Sequence, residues 1–99
     1  MNLEQLDPEY CDDQIAEAMY QREKEWWHYQ LDRANFTDVA ARLGAGSDRA
    51  AELLGRIAEI DRQVEIVEAV YSALRARIRS PEAHAAAVER NRIKREAAG

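Results

Sequence analysis

The residues best able to do chemistry lie in the first third of the chain, at Glu25-Trp26-Trp27-His28. Residues three apart on a helix share a face, so this spacing aims a carboxylate and an imidazole at one point, as a metal site requires. Trp26 and Trp27 are adjacent, about 100° apart around a helix, so a single core does not easily bury both. Together with Tyr20, Tyr29 and Phe36 they place five of the seven aromatics within a 17-residue stretch. Tyr and Trp dominate interface energetics, so these five are candidate partner-binding residues. A second cluster lies near the C-terminus, where Arg90, Arg92, Lys94 and Arg95 put four bases in six residues. Such a run can dock an acidic surface, or simply complement the C-terminal end of a helix dipole. Cys11 is the sole cysteine, so neither an internal disulfide nor a Cys/His zinc spacing is available. There is no nucleophile elbow and no Gly-rich phosphate loop.

Two local patterns resemble known families. Glu25 and His28 resemble the Glu-x-x-His element of ferritin-like di-iron bundles, which implies a metal-binding half-bundle completed by a second copy of the chain. His84 has Pro81 three residues before it, so no second such element exists. Val39-Ala40-Ala41-Arg42-Leu43-Gly44, followed by Ser47 and Ala50, resembles the turn of a helix-turn-helix nucleic-acid reader, with one extra residue in the turn. The helix that would enter the groove opens Asp48-Arg49-Ala50-Ala51-Glu52, acidic where phosphates would lie. The length, acidity and Gly-centred hairpin are also similar to those of small secreted WXG proteins. The Trp-x-Gly turn is missing here, and no function is carried over from that family.

The elements that must position these groups follow from composition and spacing. Ala, Glu, Lys, Leu and Arg make 51 of the 99 residues, the composition of long helices. Leu, Ile, Val and Phe make only 19, so a thick core is out of reach. Two Pro and four Gly argue against a turn-rich β chain. The net charge of −5 divides unevenly: residues 1–30 carry −6, residues 31–70 carry −3 and residues 71–99 carry +4. An acidic front and a basic tail attract each other within one chain or between chains. Overall acidity is the wrong footprint for duplex binding, so nucleic acid is not an expected partner. Uncharged runs reach only about six residues, well short of the roughly 20 needed for a membrane span. The acidic N-terminal residues do not read as a secretory signal. The expected compartment is cytoplasmic, or a virion or host cytoplasm for a phage-encoded protein.

Asp7-Pro8-Glu9 reads as a helix start, with an N-cap acid, Pro at the first position and an acid in the first turn. The helix is expected to run over about 8–34. Asn35-Phe36-Thr37-Asp38 is then expected to interrupt it, because Asn and Thr compete for backbone bonds. A short helix over about 38–43 follows, an unbroken helix from Pro8 to Leu43 being the alternative. Gly44-Ala45-Gly46-Ser47 is the turn, a helix over about 48–79 comes next, and Ser80-Pro81-Glu82 opens a last helix over about 81–97.

The second long helix carries the strongest pattern. Leu53, Ile57, Ile60, Val64, Val67, Tyr71, Leu74 and Ile78 alternate at spacings of four and three, a heptad seam with charged outer positions. The first helix has a broader stripe, Ile15, Met19, Trp26, Tyr29, Phe36, Ala40 and Leu43, in which Arg22 and Arg33 interrupt the series. Beside it runs a second row, Ala16, Tyr20, Trp27, Leu31 and Ala34. Two rows require two partners for one helix.

The expectation is therefore an all-α, elongated antiparallel hairpin, coiled-coil-like, with a short C-terminal helix, forming one domain and a homo-oligomer. Its expected role is non-enzymatic protein–protein interaction or assembly, without cofactor or metal. It would use the heptad seam for self-association or for hairpin closure, and present the aromatic patch and basic tail to a protein partner.

Overall fold

A computed structural model describes all 99 residues. After a single 3-10 turn at Leu3–Gln5 come three helices, α1 (Asp12–Leu43), α2 (Asp48–Arg75) and α3 (Pro81–Ala98), with no strand. The molecule measures 53 × 31 × 19 Å. α1 and α2 pack along each other as a hairpin, while α3 lies against α1, and no Cα of α3 comes within 8 Å of one in α2. No helix is long and apolar enough to cross a membrane.

The hairpin turn forms as its sequence dictates. Gly44 and Gly46 take φ of 82° and 89°, the left-handed region that costs an L side chain its Cβ clearance. Ser47 caps α2 by accepting from the Ala50 N–H at 3.3 Å. Ser80 repeats the device for α3, accepting from Ala83 N–H at 3.2 Å, with Pro81 in the first turn.

Three helix boundaries differ from the sequence expectation. α1 begins at Asp12 rather than Pro8. The Asp7 carboxylate accepts from Glu9 N–H at 2.8 Å, which closes a turn instead of starting a helix. That turn lets Leu6 fold back into the core (8% exposed), and the helix restarts where Gln14 Oε1 accepts from Cys11 N–H at 2.9 Å.

α1 also has no break at residues 35–37, and the separate short helix over 38–43 does not exist. The Thr37 hydroxyl donates to the Arg33 carbonyl at 2.7 Å, one turn back, so it satisfies itself inside the helix. α2 ends at Arg75 rather than Arg79. The residues beyond it tighten into turns, Arg77 N–H to Leu74 O at 3.0 Å and Ile78 N–H to Arg75 O at 3.2 Å, and the Arg77 guanidinium donates to the Asp7 carbonyl. The two ends of the hairpin's open side are thereby tied together.

The core is thin. Fourteen apolar side chains are buried and five of them are alanines, so the helices approach closely but bury little area. One cluster, Leu6, Ile15, Ala18, Met19, Val70 and Leu74, closes the open end. A second, Ala40, Ala50 and Leu53 with Phe36 packed against it, closes the turn end.

The heptad seam is the inner face of the hairpin. Leu53, Ile57, Ile60, Val67 and Leu74 are buried, and Val64, Tyr71 and Ile78 partly so. Past Val67 the pattern widens. Val70 is fully buried beside Leu6, and it takes the deepest place that strict heptad spacing assigns to Tyr71.

α3 is held by small residues and charge. Ala87 is fully buried, and the buried Asn91 donates from Nδ2 to the Asp13 carbonyl at 2.9 Å. Arg90 pairs with Asp13, Lys94 reaches Asp13 at 3.7 Å, and Arg95 pairs with Glu17 at 2.7 Å. The acidic front and the basic tail thus meet within one chain.

Candidate functional site

The helical spacing of α1 puts Arg22, Glu23, Trp26 and Trp27 on the side facing Val67, Glu68, Tyr71 and Ser72 of α2. These eight residues line an open groove of about 610 Å³ beside the open-end core cluster. Its polar atoms are fixed across the hairpin: Trp26 Nε1 donates to Glu68 Oε1 at 3.1 Å, and the Tyr71 hydroxyl donates to Glu23 Oε1 at 2.9 Å. Partial burial, reinforced by the Glu23 carboxylate, raises the Tyr71 pKa, so the phenol stays a donor. The two indoles meet edge to face, centroids 4.9 Å apart at 87°. Trp26 is half-buried, while Trp27 stands 62% exposed.

Arg22 is the unexpected member. Its side chain is 9% exposed and its Nη2 bonds Glu25 at 2.7 Å. Its Nε and Nη1 are buried without any hydrogen-bond partner. A buried N–H left unpaired costs roughly 1–3 kcal/mol. The sequence carried one signal of this, an arginine interrupting the stripe Ile15, Met19, Trp26, Tyr29. Glu23 and Glu68 are bonded to neutral donors, and neither forms an ion pair. Sequence reasoning gave no groove role to Arg22, Glu23, Glu68 or Ser72.

The other candidates are dispersed. Tyr20 lies under α3, with the Arg95 guanidinium 3.6 Å from its ring centroid and Lys24 Nζ at 5.5 Å. Phe36 packs at the turn end, 5.9 Å from the Arg56 guanidinium. Tyr29 is half-buried along the middle of α1. The five aromatics therefore do not make one patch: only Trp26 and Trp27 share the groove, although Trp27 and exposed Leu31 continue with Tyr20 along a shallower face. All four basic tail residues are engaged within the chain, Arg90, Lys94 and Arg95 with α1, and Arg92 with Glu89 and Glu96 of its own helix. Glu25 is held by Arg22, His28 is exposed, and no three His, Cys, Asp or Glu side chains are grouped to hold a metal ion.

Fold and groove together define an all-α helical hairpin with an aromatic, two-carboxylate cleft between its helices. The sequence matches no protein-family model, and neither curated proteins nor solved structures give a significant match.

Proposed function

We propose that this chain is a non-enzymatic helical interaction protein whose docking surface is the Trp26/Trp27 groove. The observation that carries this reading is Trp27, a large indole left 62% exposed at the rim of a cleft held on both sides by hydrogen bonds. An indole presents 150–250 Å² of surface, so covering the exposed part removes on the order of 100 Å² from water and contributes about 2.5 kcal/mol. A half-exposed neighbour locked by Glu68 keeps that anchor oriented, which limits the entropy lost on binding. With the heptad seam closed inside the hairpin, the reading moves from self-association through residues 53–78 to docking on the outer groove.

The test is site-specific photo-cross-linking in the native cells, with a benzoylphenylalanine at position 27 and, as a control, at Leu54, an exposed residue of α2 outside the groove. A discrete adduct from position 27 and none from 54 is the expected result, and its mass separates a foreign protein from a second copy. No adduct at 27, or the same adducts from both positions, overturns the reading.

A further inference from the structure

We infer that the groove's partner is the basic C-terminal turn of an amphipathic helix, an inference that rests on the docking reading above. Three features of the groove have to be met at once. Arg22 brings two buried N–H donors that lack an acceptor, on a guanidinium whose remaining end is held by Glu25. Glu23 and Glu68 bring two carboxylates that lack a cation. Lys24, the nearest lysine in sequence, is directed over the Tyr20 ring instead. Trp26 and Trp27 bring apolar area and exposed ring face.

The last turn of a helix supplies all the complements in one piece. Its final four carbonyls have no intrahelical donor, and Lys and Arg are favoured there by the helix dipole. A rotamer change that swings Arg22 toward the groove gives those carbonyls its Nε and Nη1. A lysine or arginine of the same turn meets Glu23 and Glu68 and lies against the Trp27 face, where a cation–ring contact strengthens as water leaves. An apolar side chain of the helix covers the indoles. An acidic ligand would satisfy Arg22 but would bring its charge against Glu23 and Glu68, so the groove discriminates by charge as well as by shape.

The probe is a 16-residue amphipathic leucine/lysine peptide with lysines in its last turn, alongside the same peptide with every lysine replaced by glutamate. Binding to the full chain is read by tryptophan fluorescence excited at the red edge, where the four tyrosines do not absorb, so that it reports only Trp26 and Trp27. The lysine peptide is expected to bind in the micromolar range and the glutamate peptide not below about 1 mM. The Glu23→Gln/Glu68→Gln double variant is expected to weaken binding about tenfold. The charge-matched Glu52→Gln/Glu65→Gln control, outside the groove, is expected to leave it within about twofold. Arg22→Met, which keeps the packing, removes the N–H donors to those carbonyls and is expected to weaken binding by about three- to tenfold.

Equal binding of the two peptides, equal loss in the two double variants, or no binding of the lysine peptide overturns the inference. A cross-link at position 27 obtained alongside any of those results leaves the docking reading standing and removes only the partner chemistry. Absence of that cross-link removes the docking reading itself.

Discussion

Arg22→Met is expected to make the protein more stable. The guanidinium holds two buried donors with no acceptor, and each costs roughly 1–3 kcal/mol. Against this stands the pair with Glu25, whose own side chain is 41% exposed and returns to water when Arg22 is removed. Pairs of that kind contribute about 1 kcal/mol or less. Methionine approximates the length and volume of the arginine stem, so repacking costs less than about 1.5 kcal/mol. The balance is a gain of about 1–3 kcal/mol, within the range seen when buried ionic groups give way to well-packed apolar ones.

For a chain of about 100 residues this raises Tm by roughly 5–20 °C. The measurement is thermal and urea denaturation followed by circular dichroism, with an unchanged urea m-value as the sign that the fold is the same. Arg22→Ala is the control: it removes the same donors but leaves a void, and is expected to gain less or to lose stability. A fall in Tm for Arg22→Met would show that the guanidinium's contacts outweigh its unmet donors, and the reasoning about Arg22 would be wrong.

Gly55→Ala is expected to add about 0.5–1 kcal/mol, raising Tm by about 2–8 °C, because Gly55 sits inside α2 and an added Cβ meets nothing within 4 Å; a Tm no higher than wild type contradicts this. Acid is expected to detach α3. The Arg90 hydrogen bond, outweighing desolvation, holds the Asp13 carboxyl below its ordinary 3.8, so its contribution is complete above that value and is lost as pH falls through the lower, folded one. Protection factors of the α3 amides, with the intrinsic pH dependence of exchange divided out, should therefore be flat from about pH 5 to 8 and fall below about 4, and Asp13→Asn should remove that acid step. Arg33 lowers Asp61 in the same way, which loosens the middle of the hairpin over a similar range, so the α3 amides are compared with those near Asp61.

The hairpin, its glycine turn and both serine caps were legible because each rests on a local rule: left-handed backbone at Gly44, hydroxyls at Ser47 and Ser80, and a seven-residue apolar repeat. What misled was contact between distant parts of the chain. Pro8 starts no helix because Leu6, two residues earlier, is drawn into a core formed by α1 and α2. α2 stops short of Arg79 where Arg77 reaches back to the Asp7 carbonyl. At Thr37 the error was one of direction, since the hydroxyl that can leave a helix bonds the turn behind it instead. The basic run at 90–95 gave no sign that its partners were Asp13 and Glu17, although the segment charges allowed it. Likewise the aromatic count over 20–36 could not say that α3 would cover Tyr20 and leave Trp27 open.

The backbone of α3 runs against that of α1 and not that of α2, which meets it where the Tyr71 side chain lines a shared cleft. The molecule is therefore built largely in series: a hairpin closed mainly by α1 and α2, and an appendage beside it. The bonds holding that appendage are mostly ionic, whereas those holding the hairpin are mostly apolar. Added salt screens the first kind and barely affects the second. Ionic strength is therefore a dial on one part of the chain only. Turning it up is expected to loosen α3 over the Tyr20 face, which runs on into Trp27 and Leu31, leaving the buried Ala87 and the Asn91 bond to Asp13 as the contacts that still hold it.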